Sequence, residues 1–300
     1  MTTDPFEKGK LSRALDHFTR ADQVDQLIEA READPDRGFM ARLLTLCSLP
    51  RTDPGDRKEY VRRNGPFTLF MNATGGQKLP YGTLPRLLLA WVCTEAVRTQ
   101  SRDLVLGRSL SKFMEKLGMA PVGSGRTRLR NQMHRFLNAV VRLTYSDAEG
   151  EASMAGVVAS RIELWWSPKR PDQPTLWESK IRLGEELFEE IILNPVPIEM
   201  QTLKALKRSP LGLDLYLWLT YRVFSLKKPI ALPWKRLYRQ FGANPAKADD
   251  RITVDNFRRK CLRELSKIHT AWPEFRYSTA KGHLALFPSR PLISSTKEKE

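Results

Sequence analysis

GSGRTRLRNQMHRFLNAVVRL, residues Gly123–Leu143, lies within a segment from Lys116 to Ser146 that holds no acidic residue, while Lys116, Arg126, Arg128, Arg130, Arg135 and Arg142 are cationic. Helical spacing places Leu129, Met133, Phe136, Val140 and Leu143 on one face. Arg128, Asn131, Arg135, Asn138 and Arg142 recur at steps of three and four on the other. Such a helix has one side for a core and one for an anion. Arginine suits phosphates and guanine edges and asparagine suits adenine in a major groove, so this outer face fits a nucleic acid.

Composition points the same way. Fifty Lys and Arg against 34 Asp and Glu give a net charge of +16 over 300 residues. The first 36 residues carry nine acids and five bases, a local −4, which leaves +20 on residues 37–300. Charge of this sign favours a polyanionic partner, and nucleic acid before membrane, because no long basic amphipathic tail or lipidation motif is present. The apolar runs Leu84–Val97 and Leu211–Phe224 are short and interrupted by Arg86, Glu95, Asp214 and Arg222, so neither spans a bilayer. The opening MTTDPFEKGK is polar and is not read as a signal peptide. Cys47, Cys93 and Cys261 are far apart in apolar contexts, which suits reduced core thiols in a cytoplasmic protein.

Taken in order, an acidic segment (1–36) contains a short helix expected at 21–31, and a second helix is expected over Arg37–Leu49, stopped by Pro50. Glu59–Arg63, an Asn64-Gly65 turn and Phe67–Met71 form a hairpin that reads as an extension of the main body. Thr83 then caps a helix over Leu84–Thr99, followed by a strand at Leu104–Leu106, a helix over Ser109–Leu117 closed by Gly118, and the basic helix. Strands are expected at Arg142–Tyr145, Val157–Trp166 and Thr175–Leu183, with Trp166, Trp177, Ser179 and Ile181 facing inward. A basic, proline-stiffened tip carrying Lys169 and Arg170 joins the last two.

The order helix, strand, helix, turn, long helix, hairpin is that of a winged helix, and it recurs. Pro210–Phe224, Ile230–Leu232, Trp234–Phe241 closed by Gly242, and Arg251–Ile268 repeat it. Phe275–Tyr277 and Leu284–Phe287 then flank a tip with Lys281. The second long helix buries Val254, Phe257, Cys261, Leu265 and Ile268 and presents Asn256, Arg259, Lys260, Arg263 and Lys267. Trp91 and Trp218 sit midway along the two first helices. The class is therefore α+β and helix-rich, with two tandem winged-helix domains bearing small β-hairpin wings, and an N-terminal extension. The expected division is an acidic segment (1–36), a first domain with its helix and hairpin (37–183), a linker (184–208), a second domain (209–293) and a charged tail (294–300). DNA contacts are expected from Arg126, Arg128, Asn131, Arg135, Asn138, Arg142, Lys169, Arg170, Asn256, Arg259, Lys260, Arg263, Lys267 and Lys281.

No residue pattern for chemistry stands out. His17, His134, His269 and His283 are scattered, without HxH or HExxH spacing, so neither a metal nor any other cofactor is expected. Gly75-Gly76-Gln77-Lys78 lacks the spacing of a phosphate-binding loop. The tyrosines read as core or interface aromatics, and the protein is not expected to be an enzyme.

The segments PYGTLPRLLLAWVCTEA (Pro80–Ala96), SLSKFMEKLGM (Ser109–Met119), the Arg126–Leu143 helix with Asn131 and Arg135, and SRIELWW (Ser160–Trp166) together resemble plasmid replication initiators of the RepA type. The resemblance covers about Arg37–Pro288. It implies binding to repeated origin sites (iterons) on double-stranded DNA, opening of adjacent AT-rich DNA and theta-type replication. It further implies contact with host replication proteins, a helicase or an initiator ATPase, and autorepression by homodimers. A tandem winged-helix transcriptional repressor is the alternative with the same fold.

Overall fold

The computed structural model describes residues 37–290 apart from 149, 168, 169, 171, 225 and 281, with backbone alone for Leu43, Leu44 and Phe224. The helix expected at 21–31 and the tail at 294–300 lie outside these residues. The architecture is mixed helix and sheet. Its elements run β1 (Arg37–Ala41), α1 (Arg42–Leu46), β2 (Glu59–Asn64), β3 (Phe67–Ala73), α2 (Leu84–Thr99), β4 (Asp103–Gly107), α3 (Leu110–Lys116), α4 (Gly123–Leu137), β5 (Ala139–Ser146), β6 (Glu151–Val157), β7 (Ala159–Glu163) and β8 (Ser179–Leu183). They continue with α5 (Glu185–Leu193), β9 (Pro195–Glu199), α6 (Met200–Ala205), α7 (Pro210–Phe224), β10 (Ile230–Pro233), α8 (Trp234–Phe241), α9 (Arg251–Ala271), β11 (Tyr277–Ala280) and β12 (His283–Leu286).

The strands form four antiparallel sheets, ordered β1-β9, β2-β3-β5-β6, β4-β8-β7 and β10-β12-β11. The two three-stranded sheets share one plan: a lone strand lying between two helices pairs with the second arm of a later hairpin, whose first arm forms the edge. Ahead of each lone strand runs a long apolar helix, and after it come a short helix and a basic long one. The aromatic packing also repeats. Trp91 on α2 meets Phe113 on α3 edge-on with centroids 4.9 Å apart, and Trp218 on α7 meets Phe241 on α8 at 5.4 Å.

The glycines that close the two short helices do so for different reasons. Gly118 has φ +68°, the left-handed region that favours glycine, and its N–H donates to the Glu115 carbonyl at 2.8 Å. Gly242 is extended, but a Cβ there would lie 2.3 Å from the Tyr238 oxygen, so close approach fixes the residue.

Several expected elements change. Arg37–Ala41 is a strand, not the start of a helix, because β9 offers it a ladder and all five residues are buried. The Glu59–Met71 hairpin forms as expected, yet it is no peripheral extension: β3 pairs with β5 along seven residues and makes half of the largest sheet. The basic helix stops at Leu137, where the Asn138 amide donates to the His134 carbonyl at 2.8 Å. β-branched Val140 and Val141 then enter β5, and Leu143 is buried through strand pairing with Leu69. The strand expected over Val157–Trp166 breaks at Val158, which bonds to Ala139 and Gly184 so that β6 and β7 serve different sheets. Of the Thr175–Leu183 strand only Ser179–Leu183 forms, and Trp177, expected inside, is 64% exposed in the turn before it. Thr83 precedes α2 without a side-chain cap bond.

Residues 184–208 fold as α5, β9 and α6, and β9 ties them to β1. The buried side chains of both halves form one continuous core. Polar bonds cross the same boundary. Arg62 on β2 donates to the Gly242 carbonyl at 2.9 Å, and Gln240 donates to the Leu46 carbonyl at 3.2 Å. Deeper inside, Arg86 on α2 pairs with Asp214 on α7.

Candidate nucleic-acid interface

α4 forms because Leu129, Met133, Phe136 and Leu137 bury one face against the core, which turns Arg128 and Asn131 fully outward. It contains Arg126, Arg128, Arg130 and Arg135 and no acid. Arg135 is half-buried. Its guanidinium donates to the Leu79 carbonyl at 3.3 Å and lies 5.3 Å over the Tyr81 ring, so the head group itself is held against the loop that precedes α2. Arg126 is held more tightly: one guanidinium nitrogen donates to both carboxylate oxygens of Asp172, at 2.7 and 2.9 Å. Ser111 donates to the same carboxylate, so the tip between β7 and β8 is tied to the start of α3 and α4. Arg126 is thus a clamp on the tip rather than a free cation.

Two residues expected on the outer face of this helix lie beyond its end. Asn138 is the C-cap of α4, and its carbonyl accepts from the Thr74 hydroxyl. Arg142 is exposed in the middle of β5, opposite Phe70 and Ala155. The helical period and the strand alternation both put Leu143 inside, which is why the sequence left the boundary ambiguous. Arg170 is exposed in the tip, its N–H donating to the Ser167 hydroxyl at 3.2 Å. Lys169 and Lys281 lie outside the described residues.

α9 is capped by Asp250, whose side chain accepts from the Ile252 N–H at 3.1 Å and from the Thr253 hydroxyl. The Thr253 hydroxyl, followed by the backbone N–H groups, holds that carboxyl below the ordinary range. Phe257, Cys261, Leu265 and Ile268 are buried along one face. Asn256, Arg259, Lys260, Arg263 and Lys267 are all exposed. Arg259 donates to the Asn256 side-chain oxygen, which fixes the two as a unit, while Lys267 is paired with Glu264 at 3.1 Å. Exposed Arg251 and Arg258 flank this face, with Arg258 3.9 Å from Asp255. Continuing the same helical count to the first turn and the flanks would have added both to the expected cations.

Both outer faces are therefore cationic and amide-bearing, set on helices whose inner faces belong to the shared core. Such surfaces bind polyanions, with guanidinium and amide groups able to hydrogen-bond base edges. His134, beside α4's cations, has its pKa lowered by burial and then by Arg130, so it adds no charge at neutral pH. Among the described residues no group of three His, Cys, Asp or Glu side chains is arranged to hold a metal ion. No helix among them is long and apolar enough to cross a membrane.

Residues 79–232 match the family described as plasmid encoded RepA protein. No curated protein matches the sequence significantly. Among solved structures, the selenomethionine form of domains 2 and 3 of RctB is similar at 12% identity, over 83% of this chain and 97% of that one, with a TM-score of 0.52. At that identity the likeness is one of fold. A second crystal structure of RctB domains 2–3 aligns at 11% identity over 81% of this chain and 94% of that one, with a TM-score of 0.48.

Proposed function

This chain belongs to the family of plasmid-encoded RepA proteins, replication initiators, and on that premise we propose that it binds repeated sites on origin DNA and helps open the adjacent duplex for theta-type replication. It does so as two winged-helix units, 37–183 and 209–293, joined by 184–208 and preceded by an acidic segment that contacts host replication proteins. The observation that carries this reading is the duplication: lone strand, short helix, long basic helix and three-stranded sheet occur twice in one order, each with a tryptophan–phenylalanine contact between the long apolar helix and the short one.

Under this reading α4 and α9 each enter a major groove. Arg128, Asn131 and Arg135 read bases from the first; Asn256, Arg259 and Arg263 read from the second. Lys169, Arg170 and Lys281 reach flanking phosphates from the hairpin tips, and Lys260, Lys267 and Arg142 add to the phosphate field. The work is binding and deformation of DNA rather than bond-making. Dimers of the protein repress its own expression. The shared core fixes the two readers relative to one another, so they engage one duplex as a unit.

The test is selection of bound duplexes from a random library, followed by mapping of the recovered motif onto the plasmid origin. A motif present as direct repeats beside an AT-rich tract is the expected outcome. Recovery of no motif, or of one confined to a promoter operator, overturns the initiator reading.

A further inference from the structure

Nine large apolar side chains are exposed among the described residues, and two of them stand where the long basic helices begin: Val122, 66% exposed, just ahead of α4, and Ile252, 72% exposed, in the first turn of α9. Ile252 is not a core residue that failed to bury. At 100° per residue it points the same way as Asn256, Arg259 and Arg263, opposite the buried line of Phe257, Cys261 and Leu265. An isoleucine has thus been placed at the N-terminal end of a polar, cationic strip.

That strip selects the class of partner. Arg259, Lys260 and Arg263 call for a polyanion, and the one apolar group that duplex DNA offers in its major groove is the C5 methyl of thymine. Residues in the first turns of a reading helix are those that reach base edges. Asn256, four residues on, is already oriented by its bond to Arg259, so an apolar contact and an amide would meet neighbouring base pairs in a fixed register.

We propose that Ile252 is a specificity-determining residue that selects thymine by packing its side chain against the C5 methyl. This deepens the DNA-reading role given above and rests on it. The experiment uses the full-length protein and a duplex selected from a random library, in which each thymine is replaced in turn by deoxyuracil, so that a single methyl is removed and every hydrogen-bonding group is kept. The wild type is expected to lose about fourfold in affinity at one position, the effect of one methyl-sized apolar contact. Ile252→Ala is expected to bind the thymine and uracil forms of that position equally, while keeping the wild-type response at all others and the wild-type thermal unfolding curve. A wild type indifferent to every replacement overturns the proposal and leaves the DNA-reading role standing, as does an Ile252→Ala protein that responds like the wild type throughout. Failure to select any duplex removes the DNA-reading role and the proposal together.

Discussion

Arg86 and Asp214, 128 residues apart, form a two-pronged ion pair in the middle of the molecule, Nε to Oδ1 at 2.6 Å and Nη2 to Oδ2 at 2.8 Å. Their side chains are 2% and 7% exposed. The remaining donors of Arg86 reach the carbonyls of Leu49 at 2.7 Å, Pro50 at 3.1 Å and Gly82 at 2.5 Å, so every part of the guanidinium is satisfied. Two apolar helices in equivalent positions of the two halves are thereby locked together. Asp214→Ala leaves a buried cation unpaired and is expected to destabilise the fold by about 3–5 kcal/mol in chemical denaturation. Replacing both partners at once, Arg86→Met with Asp214→Leu, is expected to recover only part of that loss, because no charge is then stranded but the Leu49, Pro50 and Gly82 carbonyls lose the Arg86 donor.

The division of labour between base and phosphate contacts gives a second expectation. Arg135 is held by Leu79 and Tyr81 on the helix proposed to read bases, whereas Lys169 is proposed to contact phosphate. Arg135→Ala is expected to cost about 1–3 kcal/mol of specific affinity and to relax sequence preference. Lys169→Ala is expected to weaken specific and random duplexes equally and to reduce the slope of log affinity against log salt by about 1. Titrations at several salt concentrations check both; equal loss on both duplexes for both variants contradicts the division.

The acidic segment 1–36 opposes the charge of the rest, −4 against +20. Deleting Met1–Asp36 is expected to leave duplex binding intact or slightly tighter while abolishing plasmid maintenance. A truncated protein that still maintains the plasmid would remove the role of this segment in host-protein contact.

All three cysteines are buried and free. Burial pushes the Cys47 and Cys93 thiols up to about 12 and raises that of Cys261 as well. Since the thiolate is the reactive species, the native protein is expected to resist disulfide-exchange reagents at pH 8 and to release three equivalents once unfolded.

Most of the helical skeleton is legible in the sequence because its signals are local. α2, α3, α7 and α8 combine apolar periodicity with a cap, a proline or a closing glycine, while α9 follows its apolar stripe and runs three residues past the expected Ile268. What the sequence hid depends on partners far along the chain. β1 is a strand only because β9, more than 150 residues later, pairs with it. The end of α4 was obscured because Val140 and Leu143 satisfy both helical and strand periods. Arg86 and Asp214 were visible as charges interrupting two apolar runs, but nothing local says that they meet. At the candidate interface the cations of α9 could be picked out by helical spacing alone, whereas the capture of Arg126 by Asp172 follows from a tip that folds back. Trp177 is exposed because the alternation of β8 starts only at Ser179.

The central claim, that α4 and α9 each read a major groove of one duplex, is tested most directly by dimethyl sulfate protection of guanine N7 on a selected site. The wild type is expected to protect two major-groove patches. Arg128→Ala with Asn131→Ala should erase one patch, and Arg259→Ala with Arg263→Ala the other, each leaving its counterpart in place. A single protected groove, or two variants that lose the same patch, would contradict it.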